Sequence, residues 1–249
     1  MCERFNEGCI LNLAIELRGY LAEGTNPFAK IKERRMADKP PKYVSSEDFN
    51  KVFKVCRNLW WKAFLTLAYT SAGKRDELLN LTWSDIDFEN QNVIFSAKKG
   101  SESMLEWQPK DRESRIVPTP PQAIQLLANM QIESDEGNPY VFITTRRWKH
   151  ILKRRSEGTW QPDYEIINNL IRSMEVICRW TNVEFFTPHD LRRSCITNWS
   201  KKLPIQTVQY LAGHSNIATT RKYYLSIQKS DMKTARDIQS ELITKLTNF

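Results

Sequence analysis

The stretch Thr187–Tyr224, TPHDLRRSCITNWSKKLPIQTVQYLAGHSNIATTRKYY, decides the fold and most of the chemistry. Thr187 is a strong N-cap and Pro188 suits the first helical position, so a helix is predicted to start there, with His189 and Arg192 three apart on one face. Two cationic or proton-donating groups then sit at a helix N-terminus, where unpaired backbone N–H groups and the helix dipole already favour an anion. The pair reads as a phosphate grip. A second helix is predicted to begin at Pro204 and stop at Gly213, delivering His214, and the paired tyrosines Tyr223 and Tyr224 follow nine residues after that histidine. A phenol, two histidines and an arginine thus lie in one short segment. The plainer alternative is a capped helix followed by ordinary core tyrosines.

The rest of the composition narrows the partners. A chain of 249 residues, 41% hydrophobic, can bury one good core and a small second one. Its formal charge of +8 and pI near 9.2 favour an anionic partner such as nucleic acid, without deciding the matter. Five scattered cysteines, Cys2, Cys9, Cys56, Cys178 and Cys195, never stand in C-x-x-C spacing, which predicts free thiols in a reducing compartment. With three histidines, two of them already placed, a metal site would lack ligands. No apolar run is long enough to span a membrane and the N-terminus is not a signal peptide, so a cytoplasmic protein is expected.

The order H-x-x-R, then L-x-G-H, then T-T-x-x-Y resembles the C-terminal catalytic signature of the tyrosine recombinases, the phage-integrase family. The resemblance implies that His189 and Arg192 are the H-x-x-R pair and that His214 is the histidine after Leu211-Ala212-Gly213. It makes Tyr223 the nucleophile, because Tyr223 follows Thr219-Thr220 at the family's spacing, and Tyr224 a bystander. The implied fold is mainly α with a small antiparallel β-sheet, an α+β catalytic domain.

Upstream, residues 1 to about 22 read as an amphipathic helix with Ile10, Leu13, Leu17 and Leu21 on one stripe. With the following NPFAKIKER it is similar to the last helix of the family's core-binding domain. Residues 1–29 are therefore expected to be a remnant of that domain in an excised or incomplete chain, the other reading being a short native arm. Residues 30–43 are charged and proline-broken, as an exposed linker is, and 44–249 are expected to form the catalytic domain. Ser45 should cap a helix through about Val55, a longer apolar helix should run from about Leu59 to Tyr69, and another should end near Leu81. In the family the first catalytic arginine stands three residues before a glutamate at the start of that third helix. Here the glutamate is Glu77 and the residue is Lys74, with Arg75 beside it. This departure implies weakened catalysis, since lysine offers a point charge where arginine offers a planar fork.

A strand at Asn92–Ala97 and the run LEWQPKDRESRIVPTP predict a hairpin or small three-stranded sheet. In the family a catalytic lysine stands five residues before the arginine of an R-x-V-P run, which is Lys110 before Arg115; Lys98 and Lys99 compete for the role. Pro120-Pro121 opens a helix with Ala123, Ile124, Leu127 and Ala128 inward, and Tyr140–Ile143 reads as a short buried strand. Arg146, Arg147, Lys149, Lys153, Arg154 and Arg155, with Trp148 among them, form the densest basic patch, suited to a sugar-phosphate backbone or simply to water. A helix from about Tyr164 to Trp180 should bury Ile167, Leu170, Ile171, Met174 and Ile177, and a C-terminal helix over 230–247 should carry an apolar stripe from Met232 to Leu246.

The resemblance implies an integrase of a mobile element that cleaves and rejoins double-stranded DNA through a 3′-phosphotyrosyl link. It would work without a cofactor, assembled on DNA as a dimer to tetramer, and away from membranes. Two rivals remain at this point: a type IB topoisomerase-like nicking and closing enzyme, and an impaired DNA-binding architectural or regulatory protein on the same scaffold.

Overall fold

The computed structural model describes residues 42–109, 114–134, 137–161, 166–167 and 169–224, with Tyr20, Arg236, Asp237, Gln239 and Ser240. The chain divides into two units, Met1–Pro40 and Pro41–Phe249, and the elements below belong to the second. The expected N-terminal stripe, the linker before Lys42, Lys110, and the apolar stripe of the tail lie outside the described residues. Of the expected C-terminal helix, residues 236, 237, 239 and 240 are described, helical and exposed.

Three helices lead. In α1, Ser46–Val55, the Ser45 hydroxyl accepts from the Asp48 N–H at 3.0 Å, the expected cap. The second, α2, Leu59–Thr70, is capped by Asn58 and buries Ala63, Phe64, Leu65, Leu67 and Ala68, so it is apolar nearly all round, as a central helix must be. Phe64 stacks on Trp60 at 5.1 Å and meets Phe142 edge-on at 5.3 Å. A turn through Ser71, Ala72 (φ 50°) and Gly73 then redirects the chain into α3, Arg75–Leu79. This helix stops short of Leu81 because the chain turns into a 3₁₀ turn, Trp83–Asp85, where Asp85 accepts from the Thr82 N–H at 2.7 Å.

The sheet has three antiparallel strands in the order β1 (Ile86–Asp87), β2 (Asn92–Phe95) and β3 (Arg115–Pro118), with Val93 opposite Val117 and Phe95 opposite Arg115. Its expected first strand is shorter than Asn92–Ala97; beyond it the hairpin continues as a single bridge between Lys98 and Trp107. After α4, Pro121–Ile132, the run Tyr140–Ile143 is fully buried but is not the expected strand. Tyr140 makes one bridge, to Thr82, and the backbone groups of the run find scattered partners instead: the Val141 N–H bonds Leu81 and the Phe142 carbonyl accepts from Trp60.

Five more helices follow among the described residues up to Tyr224: α5 (Thr145–Ser156), α6 (Leu170–Trp180), α7 (Pro188–Ser200), α8 (Ile205–Ala212) and α9 (Ile217–Tyr224), the last of which the sequence reading did not anticipate. Helix α6 starts later than expected, Ile166 and Ile167 being non-helical, and Ile171 is 39% exposed rather than inward. Helix α7 opens with a capping box in which Thr187 and Asp190 each accept from the other's backbone N–H. A small apolar cluster of Ala72, Cys195, Ile196, Val208 and Ala212, with Trp199, Leu203, Tyr223 and Tyr224 against it, joins the turn after α2 to α7, α8 and α9. That cluster positions the site.

Candidate active site and nucleic-acid interface

Glu77 is the pivot. It is 2% exposed, and its carboxylate takes both arms of Arg115, Oε1 from Nη1 at 2.9 Å and Oε2 from Nη2 at 2.5 Å. The same Oε2 accepts from the Lys74 N–H at 2.7 Å, while the Lys74 ammonium stands 3.8 Å from Oε1 and the Arg192 guanidinium 4.0 Å from Oε2. Burial pushes the Glu77 carboxyl up, but Arg115, the Lys74 N–H and Arg192 together hold it below the usual glutamate value. One buried anion therefore gathers three cations, from the α3 start, the β3 start and α7.

Arg192 is also buried, and its fork donates to the carbonyls of Ala72 and Ala212, the latter at 2.6 Å. Burial draws its pKa down from the usual arginine value against the pull of Glu77. Arg115 donates from Nε to the Leu211 carbonyl at 3.1 Å and lies over the Phe95 ring at 4.4 Å. Gly213 follows in the left-handed region, φ 62°, and a Cβ there would come within 2.9 Å of Arg115 Nη1. Glycine is required on both counts, and it turns the chain to present His214.

His214 Nδ1 shares a hydrogen bond with the buried Thr220 hydroxyl at 2.9 Å, and the ring lies 6.2 Å from that of Tyr223, nearly parallel. Burial pushes the Tyr223 phenol up against the pull of Arg192 and Arg193, so it is protonated at neutral pH. Tyr224 is turned elsewhere, donating its hydroxyl proton to the Leu203 carbonyl at 2.6 Å. His189 is exposed at the start of α7, yet its partly covered ring, flanked by Arg193 and Arg192, has a pKa below the usual histidine value and is neutral at pH 7. Glu77, Pro109, Ser114, Arg115, Gly213 and His214 line a cavity of about 230 Å³. Lys110 is outside the described residues, but the residues on either side of its segment, Pro109 and Ser114, both face that cavity. Of its competitors, Lys98 is used up in a buried pair with Asp85 at 2.5 Å, and Lys99 is exposed.

The reading from sequence used Glu77 and Arg115 as landmarks for counting and missed that they pair. It also missed Thr220 as the partner of His214, and Arg193, next to Arg192, as a neighbour of both His189 and Tyr223. Arg75, the neighbour of Lys74, points its Nε to Asp76 at 2.9 Å on the surface. The basic helix α5 divides into two faces. Arg146, Lys149 and Lys153 are exposed on a stripe, whereas half-buried Arg147, Arg154 and Arg155 donate to protein carbonyls at Ile166, Thr159 and Met104. Among the described residues no cluster of three or more His, Cys, Asp or Glu side chains could hold a metal ion, and no helix is long and apolar enough to cross a membrane.

Comparison with known proteins shows the family. Tyrosine recombinase XerA of Pyrococcus horikoshii is 26% identical over 217 residues, covering 86% of this chain and 68% of that protein. A XerC-like tyrosine recombinase of Caldanaerobacter subterraneus subsp. tengcongensis is 26% identical over 214 residues, 80% of this chain and 54% of that one. The chain thus spans between about half and two thirds of these relatives' lengths. Among solved structures, the fold matches the Tn1549 transposon integrase in complex with transposon right end DNA (TM-score 0.66, 17% identity, covering 94% of this chain and 78% of that one). It also matches the crystal structure of XerA recombinase (TM-score 0.59, 16% identity, 92% and 81%). The profile of the phage integrase family matches residues 42–230, three quarters of the sequence, and this chain belongs to that family, the tyrosine recombinases.

Proposed function

We propose that this chain cleaves and rejoins double-stranded DNA in site-specific recombination, with Tyr223 as nucleophile and Arg192, His189, His214, Lys74 and Lys110 as the groups around the phosphate. The observation that carries the reading is the convergence of Arg192, Arg115 and Lys74 on buried Glu77, in the same unit of structure that sets His214 beside Tyr223 and turns Tyr224 away. Glu77 fixes the cations before DNA arrives, and preorganised donors of this kind stabilise the charge that builds on a phosphoryl group. The bond from the Tyr223 oxygen to phosphorus forms as the bond to the 5′ oxygen breaks. The phenol's proton passes to a neighbouring base or water, and the Lys110 ammonium delivers a proton to the departing oxygen. Arg192 and Arg193 lower the cost of the phenolate. Attack by a second strand's 5′-hydroxyl reverses the step with strands exchanged, and no cofactor enters.

Arg146, Lys149, Lys153 and Arg75 supply phosphate contacts, which position the duplex without reading its sequence. The catalytic domain begins near residue 44, after a linker and residues 1–29, whose sequence is similar to the end of a core-binding domain. The protein works in the cytoplasm as a dimer to tetramer on DNA, its tail helix contributing to contacts between protomers. Incubation with nicked suicide duplexes from the genomic DNA bordering the gene tests the reading: a covalent protein–DNA adduct is expected, and strong binding with no adduct contradicts it.

Lys74 sets the rate. Its ammonium lies within reach of Glu77 but offers one point of contact where a fork would hold two oxygens. Lys74→Arg is expected to raise the rate of adduct formation at least about tenfold at unchanged affinity, a fraction of the roughly 10²–10³ attached to one preorganised donor. Arg75→Ala should do far less harm than any change at Arg192. An unchanged rate in Lys74→Arg, together with complete loss in Arg75→Ala, would give the catalytic place to Arg75.

A further inference from the structure

The loop between β2 and β3 does not hang free. Its base is closed by paired backbone bonds between Lys98 and Trp107, at 2.6 and 3.1 Å, and by the Lys98–Asp85 pair. Its tip is gripped by groups far away in the chain. Trp148 Nε1 donates to the Ser103 carbonyl at 2.9 Å, and Arg155 Nη1 donates to the carbonyls of Met104 at 3.1 Å and Glu102 at 3.3 Å. The Tyr140 hydroxyl accepts from the Leu105 N–H at 2.8 Å. Beneath these bonds Met104 and Leu105 pack on the apolar cluster of Tyr140, Ile143 and Ile151. Two of the gripping side chains come from α5, the helix whose basic run suited a sugar-phosphate backbone or water.

We infer that Trp148, Arg155 and Tyr140 form a clamp that positions the hairpin for proton transfer, making them positioning residues for the general acid and Arg155 no phosphate contact. The clamp holds residues 102–105; Trp107 is tied to Lys98; Pro109 is buried and lines the cavity; and Ser114 lines it again next to Arg115. The described residues on either side of Lys110's segment, Pro109 and Ser114, therefore both stand at the site's wall. Four hydrogen bonds made across long stretches of sequence hold residues 102–105, a few residues before Pro109. A proton donor must meet the departing oxygen within hydrogen-bond reach, so a loop free to drift would forfeit the transfer while leaving the cations on Glu77 in place. The inference rests on the proposed role of Lys110 as general acid.

The test separates the two claims. Trp148→Phe combined with Arg155→Gln removes three of these four hydrogen bonds while keeping an aromatic ring and a polar side chain in place. Adduct formation is measured on the same nicked duplex with either an ordinary scissile phosphate or one whose bridging 5′ oxygen is sulfur. A thiol has a pKa near 8.5 and leaves as thiolate without being protonated. On the ordinary phosphate the double variant is expected to be slower by at least about tenfold, the low end of what general acid catalysis contributes being about 10²-fold. On the sulfur substrate it should match the parent protein within about twofold, with the salt dependence of binding unchanged. Tyr140→Phe, which removes only the acceptor for Leu105, is expected to show the same rescue more weakly and decides the matter should the double variant fail to fold. Equal slowing on both substrates, or a salt slope reduced by about 0.9 as for one lost phosphate contact, overturns the clamp. Lys110→Ala run alongside should be rescued too. If it is not while the double variant is, another group is the acid and the inference falls with the role of Lys110; if it is rescued while the double variant is not, the clamp alone fails.

Discussion

Arg115→Met is expected to lower the stability of the folded protein by about 3–5 kcal/mol, because it strands a buried carboxylate whose two oxygens it had held. Glu77 is 2% exposed and Arg115 4%, so neither can turn to water for a substitute. The Leu211 carbonyl loses its donor in the same stroke. Glu77→Met should cost a similar amount by leaving Arg115 uncompensated, whereas the double replacement should recover much of the loss, since a well-packed apolar pair is often as stable as a buried ion pair. Urea titration of the four proteins measures it. A loss below about 1 kcal/mol for Arg115→Met would mean the pair is solvated and not the pivot. The pH dependence has a definite sign. Because Glu77 is held below the ordinary value of 4.5 in the folded state, its contribution is complete above that value and fades as the pH falls through the lowered one.

Arg192→Ala is expected to slow adduct formation by at least about 10²–10³ at saturating DNA, the cost of one preorganised donor to a developing charge. The guanidinium ties Ala72 and Ala212, on either side of the site, and still has N–H groups left for phosphate oxygens. Arg192→Lys keeps the charge but cannot span both carbonyls and a ligand together, so most of the loss should persist. Single-turnover rates on the nicked duplex measure both variants. A lysine variant with near-parental rate would show that charge alone is needed and that the two-carbonyl anchor is dispensable.

What could be read from the chain follows the range of the forces. Caps act over three residues, and so the starts of α1 and α7 and the stop at Gly213 are where Ser45, Thr187 with Pro188, and the glycine put them. Helix α9 has such a signal too, Asn216 accepting from the Ala218 N–H at 2.8 Å. The order of H-x-x-R, G-H and Tyr carried the family because those residues stand on consecutive elements. The bonds from Glu77 to Arg115, Arg192 to Ala72 and Trp148 to Ser103 join residues 38, 120 and 45 apart, and nothing local announces them. Tyr140–Ile143 misled for a related reason: an apolar run reports burial, which is correct here, but not whether a neighbouring strand exists to pair with it. The basic run of α5 likewise reports charge, not which cations face the protein.

The most direct test of the proposed chemistry is to trap the adduct on a nicked suicide duplex, digest it, and find by mass spectrometry which residue carries the nucleotide remnant. The peptide should bear it on Tyr223, whose ring lies beside His214, and not on Tyr224, whose hydroxyl is held by Leu203. Tyr223→Phe should then yield no adduct at nearly parental DNA affinity, and Tyr224→Phe should still yield it. A remnant on Tyr224, or an adduct that survives Tyr223→Phe, would contradict the assignment of the nucleophile and with it the arrangement proposed for the site.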